Sequence, residues 1–292
     1  MTSAHKEHID PHTGTSTTGH EWDGIRELNT PLPKWWLYTF YATIVWALGY
    51  FVVYPSWPMI SSHTPGLLGW SSRGAVTQEL AALQHKRAPM VSALSQASLP
   101  EIVRDDKLRG FAVAQGRAAF GDNCAPCHGA GGGGAVGYPN LNDDEWIWGG
   151  TLDDIHQTIA FGIRSTHEKT RVGMMPAFGQ TGMLKASEIN MLADHVRALA
   201  GLSTEKSYDK AAGEKLFGEQ CAACHGEAAK GNQEIGAPNL TDKIWLFGAD
   251  RAAIAEGIHR GRGSMMPAWN ERLDDTTIKA LTVYVHSLGG GK

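Results

Sequence analysis

The sequence predicts an all-α protein: one N-terminal membrane-spanning helix followed by two tandem copies of a small helical domain. Three observations predict it. Residues Trp35 to Tyr54 form an uncharged, aromatic-rich stretch of 20 residues. The remainder contains an internal repeat, with residues 110–201 overlaying 207–290. Each copy ends in a segment of helical periodicity, and no strand alternation of any length is visible.

The apolar stretch is long enough at about 1.5 Å per residue to cross a hydrocarbon core of about 30 Å. Lys34, Trp35 and Trp36 mark one boundary and Tyr54 with Trp57 the other, as expected of an aromatic belt. A cleaved signal peptide would have a shorter apolar part and a small-x-small site after it, whereas Tyr-Pro-Ser-Trp-Pro-Met follows here. Lys6, Arg26 and Lys34 precede the span and no Lys or Arg follows until Arg73, so the positive-inside rule expects a cytoplasmic N-terminus and everything after the span outside.

These features divide the chain into a segment 1–34, a spanning helix 35–54, a linker 55–106 with a short helix at Thr77 to Leu94, and two repeats, 107–201 and 202–292. The formal charge of −4 is spread as −2 over 1–34, 0 over 35–106, −1 over 107–201 and −1 over 202–292. No part is basic enough to seek nucleic acid. His5, His8, His12 and His20 lie in a polar start that reads as disordered.

All four cysteines fall in two copies of one pattern, Cys124-Ala-Pro-Cys127-His128 and Cys221-Ala-Ala-Cys224-His225. Cys-x-x-Cys-His is the attachment signature of haem c: two thioethers hold the porphyrin and the adjacent histidine becomes the proximal ligand. A zinc site would want its second Cys pair about 15–20 residues after the first, but 93 residues separate Cys127 from Cys221. A thioredoxin-like motif explains neither the histidine nor the duplication. The cofactor expectation is two covalently bound haem c groups.

The repeats agree at further positions. Gly116 and Phe120 precede Cys124 as Gly213 and Phe217 precede Cys221. Pro-Asn-Leu follows each motif at 139–141 and 238–240, with Trp146 and Trp245 seven residues after each Pro. The carbonyls of Pro139 and Pro238 are candidate acceptors for the proximal imidazole N–H. Each indole is either a donor to a haem propionate or a core aromatic, and Arg164 and Arg262 are either propionate partners or solvated. Each copy then reaches Met-Met-Pro-Ala-aromatic, at 174–178 and 265–269. Met175 and Met266, 47 and 41 residues after the histidine of the same repeat, are the expected sixth ligands, with Met174 and Met265 as their neighbours. Ser187 and Asp275 are candidate caps for the last helix of each repeat, which the small Gly116 or Gly213 allows to approach the first helix closely. His195 occupies the place of Tyr284 and is expected to pack or reach solvent.

Each repeat resembles a class I cytochrome c, carrying Cys-x-x-Cys-His, Pro-Asn-Leu and Met-Pro in order. The whole chain resembles the FixP/CcoP subunits of bacterial cbb3-type cytochrome c oxidases. That resemblance rests on the run Thr18-Gly-His-Glu-Trp-Asp-Gly-Ile-Arg-Glu-Leu-Asn-Thr-Pro-Leu-Pro33, the aromatic span, Tyr54-Pro-Ser-Trp-Pro58 and the two repeats. It implies a bacterial inner-membrane subunit with periplasmic haem domains, working beside a haem–copper catalytic subunit and a monohaem cytochrome c subunit. Its electrons would come from the bc1 complex or a soluble cytochrome c. Some family members carry two membrane helices, and this sequence shows one. The other readings are the cytochrome subunit of a periplasmic dehydrogenase, which would lack the Glu21-Trp-Asp-Gly run, and a dihaem peroxidase, which needs one iron open. A gas sensor would want a signalling domain, and none is visible.

Overall fold

The computed structural model describes residues 8–289. The backbone divides into two compact units, Met1–His85 and Lys86–Lys292.

The first unit opens with an element that the expectation of a disordered start missed. Strands β1 (Thr17–Trp22) and β2 (Ile25–Leu28) form an antiparallel hairpin in which Trp22 pairs with Ile25. The two-residue loop between them is Asp23-Gly24, with φ of 49° and 83°. Both values are positive, the geometry that suits a hairpin's twist and that Asp-Gly adopts readily. Before it, the Asp10 carboxylate accepts from the backbone N–H of His12 and Thr13 and so closes a turn. His12 lies in this turn and His20 in β1. His5 and Lys6 lie outside the described residues.

Helix α1 (Lys34–Val53) follows Pro33, and none of its residues is buried by protein. An apolar helix without protein cover is what a lipid-facing span requires. Its aromatics stack along the axis, Trp36 on Phe40 at 5.5 Å and Tyr50 on Tyr54 at 4.7 Å. A helix leaves its last carbonyls without partners. Here the chain folds back and Leu67 and Leu68 donate their N–H groups to the carbonyls of Val52 and Val53.

Helix α2 (Ser72–Gln96) is longer than the expected short helix and contains Pro89. The end of the segment read as a linker is core: Leu94, Leu99 and Ile102 pack with Leu108, Ala112, Ala280 and Val283. Leu99 and Ile102 belong to α3 (Leu99–Arg104).

The repeats supply α4 (Asp106–Asn123), α5 (Ala125–His128), α6 (Leu152–Phe161) and α7 (Ala186–Leu199), then α8 (Lys210–Gln220), α9 (Ala222–His225), α10 (Arg251–Arg260) and α11 (Asp275–Leu288). The caps lie just upstream of the expected residues. Lys185 occupies the N-cap of α7, its N–H bonded to Glu188, and Asp274 caps α11 by accepting from Thr277 N–H.

The two helical cores do not follow the repeat boundaries. The first joins Phe120, Ile155 and Ile159 of repeat one to Ile278, Leu281, Tyr284 and Val285 of α11. The second joins Ile189, Leu192 and Val196 of α7 to Phe217 and Ile258 of repeat two. Each last helix thus packs on the other repeat, and the boundaries 107–201 and 202–292 describe the sequence repeat, not the packing. Two copies of one fold can make this exchange at little cost, because the same kinds of contact form either way. Gly116 is the close-approach glycine, but a Cβ there would strike the Ala280 carbonyl and Tyr284 of α11. A Cβ on Gly213 would meet Tyr208 and His195.

Candidate haem centres

Each Cys-x-x-Cys-His motif forms one short helical turn after the aromatic end of a longer helix. Cys124 ends α4 and α5 carries Cys127 and His128, while Cys221 ends α8 and α9 carries Cys224 and His225. The imidazole Nδ1 of His128 lies 3.1 Å from the Pro139 carbonyl, and that of His225 lies 2.9 Å from the Pro238 carbonyl. A carbonyl only accepts, so Nδ1 carries the proton in both rings and Nε2 keeps its lone pair for a metal. Burial holds both histidines below the ordinary imidazole range, against the opposing pull of the carbonyl bond. Both rings are thereby kept neutral, as coordination needs.

The two cysteine pairs belong to different cores. Cys124 packs against the first core and Cys221 against the second. Burial, aided by the neighbouring Cys127 and Cys224, pushes the thiols of Cys124 and Cys221 up to about 11. No cluster of three or more His, Cys, Asp or Glu occurs among the described residues.

The methionines reverse the within-repeat pairing that the spacing suggested. Met266 packs in the core with Cys124, Ala125 and Trp146, and Met175 in the core with Cys221, Ala222 and Trp245. Their neighbours Met174 and Met265 are 68% and 67% exposed, so they point away from these cores. The backbone explains the crossing. Ile163, just after α6, exchanges hydrogen bonds of 3.0 and 2.9 Å with Met266. Arg262, just after α10, does the same with Met175 at 3.2 and 3.0 Å. Each methionine loop is thus pinned to the other repeat's half.

Haem c fits both cores on independent grounds. The indole Nε1 atoms of Trp146 and Trp245 are buried without a protein acceptor. Buried donors are seldom left unpaired, and one in the same place in both cores suits a carboxylate of a bound group. This favours the propionate reading of the two tryptophans over a purely packing one.

Comparison with known proteins agrees. The family described as "Cytochrome C oxidase, cbb3-type, subunit III" matches residues 111–196 and 209–285, and the "N-terminal domain of cytochrome oxidase-cbb3, FixP" matches residues 14–61. The cbb3-type cytochrome c oxidase subunit FixP of Bradyrhizobium diazoefficiens is 62% identical over 97% of this chain and 98% of its own length. The chain belongs to the FixP/CcoP family. FixP of Azorhizobium caulinodans is 54% identical over the full length of both chains, and CcoP of Azospirillum brasilense is 49% identical over 97% of this chain and 98% of its own.

The arginine and histidine candidates of this FixP/CcoP chain sit among protein groups, and His195 packs, one of its two expected placements. Arg262 lies with its guanidinium carbon 4.1 Å from the centre of the Phe247 ring and donates to the Ala253 carbonyl. Arg164 is half-buried and donates to backbone carbonyls. His195 is buried, its Nδ1 2.8 Å from the Tyr208 hydroxyl and its ring 5.2 Å from Phe217. It takes the place that Tyr284 takes against Phe120 in the other core. Sequence reasoning passed over Asp194, which is buried on α7 and bonded at 2.9 Å to Arg251 of α10.

The acidic run Asp143-Asp144-Glu145 lies near Asp242 of the other repeat. Burial, then the Asp242 charge from the other repeat, raises Glu145 above the ordinary carboxylate range, and burial likewise raises Asp143. Asp242 Oδ2 is buried and accepts from no donor. A carboxyl raised in the folded state contributes stability below its unfolded value and loses it as pH rises through the folded one. Glu145→Gln is therefore expected to stabilise the protein near neutral pH by about 0.5 kcal/mol, a figure kept small because the group is largely solvent-screened. At about pH 4 and below the gain should fade. Thermal melts of both proteins at the two pH values check this; an equal gain at both would deny the charge repulsion.

Proposed function

We propose that this chain carries two haem c groups and relays electrons to the oxygen-reducing subunit of a cbb3-type oxidase. Membership of the family makes it a membrane-anchored cytochrome c subunit of that complex, partnered with the catalytic subunit. The dehydrogenase alternative is not favoured, because residues 14–61 match the FixP N-terminal domain.

The observation that carries the finer reading is that each core gathers the same set: a Cys-x-x-Cys-His turn, a proline carbonyl on the imidazole, an orphan indole N–H and one methionine. Cys124, Cys127, His128 and Met266 would hold one group, and Cys221, Cys224, His225 and Met175 the other. When bound, haem c supplies a one-electron iron couple. The chain's residues then do the rest. The cysteines prevent loss of the group, the proline carbonyls fix the imidazoles, and a histidine–methionine pair sets a raised potential. If His128 with Met266 and His225 with Met175 are the ligands, neither iron would keep a place for oxygen or peroxide, which supports relay over peroxidase chemistry.

The charge asymmetry around α1 supports a cytoplasmic N-terminus and periplasmic centres. The bc1 complex or a soluble cytochrome c is the donor in this reading, and a monohaem cytochrome c subunit sits beside the chain in the same complex. Extraction of bacterial inner membranes with mild detergent should co-purify this chain with the haem–copper and monohaem subunits. The denatured chain should carry two covalent haems, and protease added outside the membrane should remove them. Isolation with a dehydrogenase, or fewer than two haems per chain, would refute the proposal.

A further inference from the structure

Between the two cores, one arginine reaches both methionine loops. Arg164 follows α6 with a φ of 50°, a left-handed conformation that is uncommon for a residue with a Cβ. Its Nε donates to the Ser264 carbonyl at 2.7 Å, its Nη2 donates to the same carbonyl, and its Nη1 donates to the carbonyl of Gly173. Gly173 stands two residues before Met175, and Ser264 two residues before Met266. A single planar fork therefore grips the same backbone position in both loops.

The clamp is supplied once for the pair. Gly162 and Gly261, with φ of 72° and 74°, occupy matching places after α6 and α10. Counting on from them sets Arg164 against Gly263. A Cβ on Gly263 would meet the sulfur of Met174 at 2.9 Å and lie 3.8 Å from Cδ of Arg164. The crossing has room for one such side chain, and repeat one provides it. Desolvation of a guanidinium is offset only by good acceptors, and two loop carbonyls supply them here.

We propose that Arg164 is a positioning residue for both sixth ligands at once, so that the methionine bonds of the two irons are coupled through one guanidinium. This rests on the reading of Met175 and Met266 as ligands. The test uses the full-length, haem-loaded chain in detergent and the long-wavelength charge-transfer band that marks methionine sulfur on iron(III), together with a redox titration of both centres. Met175→Ala and Met266→Ala should each remove the band from one centre. Arg164→Gln should make the bond-opened form on the order of tenfold more populated at the centre of the Gly173 loop, which loses one charge-assisted hydrogen bond, and at least as much at the centre of the Ser264 loop, whose carbonyl loses two. Both potentials should fall with it. Arg164→Lys keeps the charge without the fork, so it should restore the potentials more than the bands, and it serves alone if the glutamine variant does not fold.

If neither methionine variant changes the band, the ligand assignment fails. If each does, while the Arg164 variants alter one centre or neither, the shared clamp is overturned and the ligands stand.

Discussion

Replacing Met266 with alanine is expected to open the iron of the haem attached at Cys124, Cys127 and His128 and to leave the centre in its own repeat intact. Met266 packs with Cys124 and Trp146 and is hydrogen-bonded through its backbone to Ile163. Met175 packs with Cys221 and Trp245. The cleanest test uses a background with Cys221→Ala and Cys224→Ala, where only the first centre carries covalent haem. There Met266→Ala should permit carbon monoxide to bind the reduced iron and lower the midpoint potential by roughly 0.1 V, a modest part of the roughly 0.8 V that axial ligands span. Met175→Ala in that background should leave both readouts unchanged. The opposite result would mean that each repeat supplies its own ligand and that the crossed backbone pairs do not govern coordination.

The candidate centres were legible because the residues proposed for them lie in short motifs. Cys-x-x-Cys-His fixes three of the residues, and the duplicated Pro-Asn-Leu pointed to carbonyls that do bond His128 and His225. The span was legible from length and charge alone. The exchange of last helices was not, and the reason is physical. Ile189, Leu192 and Val196 present the same kind of face as Ile278, Leu281 and Val285. Periodicity tells which face is buried but not against which of two similar partners. One asymmetry was visible without being decisive: His195 stands where Tyr284 would be expected. In the structure it pairs with Tyr208, which belongs to repeat two. The N-terminal hairpin was legible and missed, since Asp23-Gly24 is a strong two-residue turn signal lying in a segment whose polarity suggested disorder. Arg164 was noticed for its charge, but its carbonyl partners come from loops about 10 and 100 residues away, which no local pattern encodes.

Expressed without residues 202–292, the first repeat will not close a haem pocket. The loss removes α11, whose Ile278, Leu281, Tyr284 and Val285 are all buried against Phe120, Ile155 and Ile159. It also removes Ala280 and Val283 from the cluster that seats Leu94, Ile102 and Ala112. At about 1.5–3 kcal/mol for each large apolar side chain buried, the first four contribute on the order of 6–12 kcal/mol, comparable to the whole stability of a typical domain. The truncated chain should therefore bind haem covalently at Cys124 and Cys127 yet lack a methionine-ligated spectrum and a cooperative melt. Supplying residues 202–292 as a separate polypeptide in the same compartment should restore both, because the missing helix and Met266 arrive on that piece. A truncated repeat that melted cooperatively with a methionine-bound iron would have found its partner in its own α7 and Met175. The exchange would then be one of two accessible packings, and the crossed ligands would follow from the tandem linkage rather than from the preference of each core.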